Sequence, residues 1–194
     1  TVAGQVDPQI TFNIGSQASA TACDGTFSSS GGSLPLGSLT TASVASSDVS
    51  SVPHICTRLT TNAPGGAIVT VLSQNASLKS VSTPTDTIPS STATLTAGST
   101  GYGLCAGSGG GDSGKDATTP AGATPTASSP WNGSCSTSSH AVGGLTTSPQ
   151  TVWSLSGPSQ NAFFRLFLKA AISPSVPAHT DYADILTFIA TGTY

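Results

Sequence analysis

The segment Ala162-Phe-Phe-Arg165-Leu-Phe-Leu168-Lys-Ala-Ala-Ile172 reads as helix or strand by periodicity, and the fold class turns on which. Read as a strand, it places Phe163, Arg165, Phe167 and Lys169 on one face and Phe164, Leu166 and Leu168 on the other. Its surroundings favour the strand. Pro174 and Pro177 follow closely, and Glu and Met are absent from all 194 residues. With only five Lys and Arg in the chain, most strong helix formers are missing.

Similar segments lie on either side. Tyr182 to Tyr194 alternates Ile185, Thr187, Ile189 and Thr191 against Leu186, Phe188 and Ala190. Pro8 to Ile14 puts Ile10, Phe12 and Ile14 on one face. His54 to Thr60 alternates Ile55, Thr57 and Leu59 against Cys56, Arg58 and Thr60. The turn Asn62-Ala-Pro-Gly-Gly66 leads from there into Ala67–Leu72, a pairing expected to form a hairpin. Leu34–Thr40, interrupted by Gly37, is a weaker strand. Thr92–Thr96, Tyr102–Cys105 and Thr151–Leu155 are further ones. Short strands with long polar connections predict one all-β domain over 8–194, a single immunoglobulin-like or jelly-roll β-sandwich. Residues 98–149 turn Gly-, Ser-, Thr- and Pro-rich and read as a loop-rich lobe, a disulfide-stapled insertion on that sandwich.

Composition excludes other classes. Charged residues make up 7% of the chain and net charge is −3, so no phosphate-tracking patch can form and nucleic acid is not an expected partner. No apolar run is long enough to predict a membrane span. Ser (33) and Thr (29) supply about a third of the residues. Hydrophobic residues at 36%, gathered into short runs, argue against disorder.

The four cysteines, Cys23, Cys56, Cys105 and Cys135, form no C-x-x-C pair, and His54, His140 and His179 are scattered. That pattern predicts no metal site and two disulfides in an oxidising compartment. Four cysteines allow three connectivities. Cys23–Cys56 with Cys105–Cys135 closes the more local loops and is preferred. Secretion is expected, with any leader already removed from the mature chain. Asn75-Ala-Ser77 and Asn132-Gly-Ser134 are glycosylation candidates.

Catalytic motifs are weak. Gly111-Asp-Ser-Gly114 resembles the nucleophile loop of chymotrypsin-like proteases, and His54, Asp86 and Ser113 follow that family's order. Lys115 stands where the family has a second Gly. Gly109 to Lys115 fits part of a phosphate loop, but Asp116 replaces the hydroxyl that binds magnesium. Asp112 and Asp116 lack a calcium-loop pattern. Asp181 and Asp184, the closest carboxylate pair, read as turn formers more than as a glycosidase pair. Trp131 and Trp153 suit core packing more than sugar stacking. The expectation is no enzyme, no catalytic residue and no cofactor.

Three segments carry a family resemblance. Val176-Pro-Ala-His-Thr-Asp181-Tyr-Ala-Asp184-Ile-Leu-Thr-Phe-Ile-Ala190 resembles the closing strand of bacterial pilin-type sandwiches. Cys23…Leu34-Pro-Leu-Gly37-Ser-Leu39…Cys56 is similar to the spore-coat-U-like subunits of archaic chaperone–usher pili. Thr61 to Val71 resembles hairpins of fibre proteins of the TasA/camelysin kind. Residues 98–149 and the second cysteine pair have no counterpart there. The resemblance implies an extracellular, cell-surface filament subunit, acting in adhesion or biofilm, that polymerises head to tail by donating a strand to a neighbour. Thr1–Asp7 suits the donor, with Val2, Gly4 and Val6 on one face. The alternative is a monomeric adhesin or carbohydrate-binding sandwich, with surface glycans as partners.

Overall fold

The computed structural model describes residues 3–17, 23, 32–47, 53–109, 112–113, 121–132 and 139–194. It is all-β, with no helix among those residues and therefore none long and apolar enough to cross a membrane. The principal strands are β1 (Ile10–Gln17), β2 (His54–Thr61), β3 (Ala67–Ser73), β4 (Ser77–Ser80), β5 (Thr87–Pro89), β6 (Gly101–Ala106), β7 (Gln150–Leu155), β8 (Ser159–Ala171) and β9 (Leu186–Gly192).

Two antiparallel sheets pack over a common core. The first is centred on β8, which pairs with β2 and through it β1 on one side. β6 pairs with β8 from Leu166 to Ala171, and the short strands Ala45–Ser46 and Ala121–Gly122 complete that sheet. The second runs Thr126–Ala127, β7, β3, β9. A small third sheet joins Tyr182–Ala183, β4 and β5. Ile55, Leu59, Phe164 and Leu166 from the first sheet meet Val69, Val71, Val152 and Trp153 from the second in one buried cluster. Trp153 stacks on Phe164 with ring centroids 5.3 Å apart, a contact adding about 0.5–1.5 kcal/mol beyond burial.

The ambiguous segment is thus a strand, and the central one. Of its thirteen residues, those from Ala162 to Ala171 are buried on both faces, with Arg165 the half-exposed exception. Phe164, Leu166 and Ala170 face the common core. On the opposite face, Phe163 covers the cystine while Phe167 and Ala171 pack with Leu95, Cys105 and Val142. Lys169 on that face is fully buried, its Nζ donating to the Ser139 carbonyl at 2.8 Å. Nζ lies 3.4 Å from His140 Nδ1. Burial, and then the Lys169 charge, lowers the His140 pKa.

Two local expectations are corrected. β2 and β3 do not form a hairpin: β2 pairs with β1 and β8, whereas β3 pairs with β7 and β9. The Ala63–Gly66 turn carries the chain from one sheet to the other. Gly66 has φ +79°, and a Cβ there would sit 2.0 Å from the Leu155 carbonyl oxygen. A left-handed residue pressed against another strand's backbone must be glycine. Gly65 N donates to Thr193 O and Thr193 N to Gly66 O, each at 2.9 Å, so the C-terminal strand ties off this crossing. Leu34–Thr40 is not a strand. Leu34, Leu36 and Leu39 are half-buried against the core, but the segment joins no ladder.

Residues 98–149 are more integrated than their composition suggests. β6 belongs to the central sheet, and Trp131 is 1% exposed within the common core. Trp131 and Trp153 are therefore packing residues, not stacking platforms.

Candidate functional site

Among the described residues, β1 ends the first sheet and β9 ends the second, and neither has a second strand partner. The two edges come close to one another. Half-buried apolar side chains line the gap: Phe12 and Ile14 from β1, Leu186, Phe188 and Ala190 from β9. These side chains pack against the common core while staying partly open to solvent. Near the Leu186 end of β9 lies a cavity of about 730 Å³ between residues 32–39 and Leu168, Ile172, Val176 and Leu186.

Segment 32–39 crosses this cavity without a backbone–backbone hydrogen bond to any described residue. Its alternate leucines, Leu34 and Leu36, reach the core, while Gly37 at φ +72° breaks the extended run. The sequence signal for a strand was the alternation; the ladder partner is what is missing.

The cavity's polar wall comes from the His179–Asp184 turn. Asp184 accepts hydrogen bonds from Ser73 Oγ (2.6 Å), Tyr102 Oη (3.0 Å) and the backbone N–H groups of Asn75 (3.2 Å) and Ile185 (2.9 Å). Burial, and then the Asp184 charge and hydrogen bond, push the Tyr102 phenol far above its usual pKa. Asp181 accepts from Ser80 Oγ (2.8 Å) and Ser82 N–H (2.6 Å). Hydrogen bonds from Ser82 and Ser80 hold its carboxyl down at about 2. Asp86 meets His179 Nε2 at 2.6 Å. Three carboxylates thus fasten one turn to β4 and its neighbours. Asp181 and Asp184 take separate partners, so their arrangement is that of turn formers and not of two acids facing one substrate.

The N-terminal segment enters β1 from a fixed anchor. Asn62 Nδ2 donates to the Asp7 carbonyl at 2.8 Å, and Gln9 N–H donates to Asn62 Oδ1 at 2.7 Å. Beyond that clamp the described residues are free of the body: Val6 is 83% exposed, and a Cβ on Gly4 would meet nothing within 4 Å. Val2 lies outside the described residues. The clamp was missed in the sequence because Asn62 reads as a turn residue and its partners lie more than fifty positions away.

The expected Cys23–Cys56 disulfide is present, spanning 33 residues. Cys105 is disulfide-bonded too, and Cys135 lies outside the described residues. His54 is buried beside the first cystine and packs edge-on against Phe167, whereas Asp86 pairs with His179. The protease-like order therefore does not assemble a His–Asp pair. Ser113 sits in a two-residue hairpin strand with Asp112; Gly111, Gly114, Lys115 and Asp116 are outside the described residues. Asn75 is half-buried in the β3–β4 turn, with Ser77 Oγ bonded to its carbonyl; Asn132 is exposed.

No protein-family model, characterised protein sequence or solved structure matches this chain. What it does must be argued from its own geometry.

Proposed function

We propose that this chain is the structural subunit of an extracellular, surface-attached filament, in which the N-terminal arm of one copy adds a strand to the open sandwich edge of the next. One observation carries the reading: among the described residues β1 and β9 each end a sheet and bear half-buried apolar side chains, while residues 3–6 are exposed beyond an anchored base. Strand addition would supply backbone hydrogen bonds along one such edge, and alternate side chains such as Val2, Gly4 and Val6 would set register. Donation from copy to copy does not close on itself and builds a fibre. Low charge, a hazard for a monomer with bare edges, favours such association. Adhesion or biofilm structure is the role this suits.

The test is deletion of residues 1–7 followed by electron microscopy and sedimentation of the assembled material. Loss of fibres with retention of the folded monomer is expected. Fibres of normal length from the shortened chain would sink strand donation.

A further inference from the structure

His54 and Cys56 stand two residues apart on β2, so their side chains leave the same face of the strand. Cys23 lies over that face. A ring nitrogen of His54 and the sulfurs of Cys23 and Cys56 all fall within 4.8 Å of one another. All three residues are 0% exposed. Phe163 packs on the two cysteines, and Phe167 lies edge-on to the imidazole at 5.6 Å. Arg165 of β8 stands directly across from Cys56 on the same face, its Nε buried. The cluster is thus a buried set of two sulfurs and one nitrogen between two aromatic rings and a guanidinium.

We propose that in its dithiol form this cluster binds one divalent, zinc-like cation, so that metal and disulfide are alternative staples joining Cys23 to β2. The donor set is the kind that borderline-soft cations prefer. Charge selects the divalent ion. Two thiolates cancel its charge completely, so the filled site brings no further net charge into a buried pocket. Zinc–sulfur bonds of about 2.3 Å and zinc–nitrogen bonds of about 2.0–2.1 Å set ligand atoms roughly 3.3–3.8 Å apart around a tetrahedral centre. With all separations already under 4.8 Å, the two sulfurs must part once their bond is broken and the imidazole nitrogen must close by at most about 1 Å. Three protein ligands leave one coordination position open.

The chemistry balances with a phosphine as reductant. Phosphine and water convert the cystine to two thiols and phosphine oxide. Binding the cation then releases one proton from each thiol, while the neutral imidazole contributes a lone pair. Affinity therefore falls as pH is lowered. This site is independent of the filament reading: it needs only β2, Cys23 and a reducing step.

The experiment uses the full chain with Cys105→Ser and Cys135→Ser, leaving one cysteine pair, checked for folding in the oxidised state by near-UV circular dichroism. After phosphine reduction without oxygen, cobalt(II) is titrated as the probe and displaced by zinc. Expected are one equivalent per chain and thiolate-to-cobalt charge-transfer absorption in the reduced chain, with neither in the oxidised chain. His54→Ala should weaken binding at least about 100-fold, beyond what loss of a merely orienting partner usually costs. Absence of the absorption in the reduced chain, or its survival unchanged in His54→Ala, overturns the site. Should the serine variant not fold, the reduced wild-type chain is melted with and without zinc. A midpoint raised by zinc in the wild type but not in His54→Ala supports the site, and no rise refutes it.

Discussion

β8 and β9 have similar alternating sequences and opposite fates. β8 is buried on both faces, with Phe164 and Leu166 in the common core and Phe163, Phe167 and Lys169 beneath a second layer. β9 alternates half-buried and exposed along its whole length, with Ile189 43% exposed, and forms the rim of its sheet. The difference lies in what fills the second face. Phe163 and Phe167 on one face of β8 demand a cover, which the cystine and residues such as Leu95 and Val142 provide. Thr187 and Thr191 on β9 ask for none. A strand's second face, more than its first, decides whether it becomes a centre or an edge.

Truncation of each strand's core aromatic should sharpen that contrast most. Phe164→Ala removes a fully buried ring stacked on Trp153 and should cost about 3–5 kcal/mol in urea unfolding. Phe188→Ala, at a half-buried edge position, should cost roughly half as much. Equal losses would mean that the edge is as well packed as the centre.

The cover over β8 comes next. Replacing Cys23 and Cys56 together by Ser opens a 33-residue loop and should lower stability by about 3–4 kcal/mol. Denaturant midpoints of the double variant measure it, and an unchanged midpoint would leave Phe163 as the sole fastening there.

At the rim, Asp184→Asn exchanges a carboxylate for an amide among four donors and should cost about 1–2 kcal/mol. The loss should be accompanied by a change in tyrosine fluorescence as Tyr102 loses its acceptor. Acid should loosen the same turn. The folded pKa of Asp181 lies below the ordinary value of 3.8, at about 2. Its contribution is therefore complete above the unfolded value and disappears as pH falls from about 4 towards 2. Melting curves across that window should converge for the wild type and Asp181→Asn, and parallel curves would contradict the assignment. The smallest effect belongs to β9's outer face, where Ile189→Lys should stay within about 0.5 kcal/mol of the wild type by the same unfolding assay.

Legibility followed the same line between local and distant causes. Strand identity, the core faces and the first disulfide were readable because alternation and cysteine spacing are local signals. Pairing was not. The Asn62–Gly66 turn looks like a hairpin loop, and only the approach of Leu155 and Thr193 to Gly65 and Gly66 shows that it crosses between sheets. Leu34 and Leu36 have strand alternation but no available ladder. The carboxylates of the closing turn gave their type but not their roles, since Ser73, Ser80 and Tyr102 lie about eighty to a hundred and ten positions away. The His54–Cys56 spacing was visible in the sequence, but Cys23 joins it only in three dimensions.

The crossing at Gly66 also fixes an order of events. β3 sits inside its sheet, yet both of its partners, β7 and β9, come from residues beyond 149. β2 likewise waits for β8 on one flank. A chain made from its N-terminus therefore holds its most β-prone segments unsatisfied through most of its synthesis, able to pair with the wrong edge. Contacts this distant in sequence form slowly. The crossing turn itself is shut last, when Thr193 at the end of β9 arrives to bond Gly65 and Gly66.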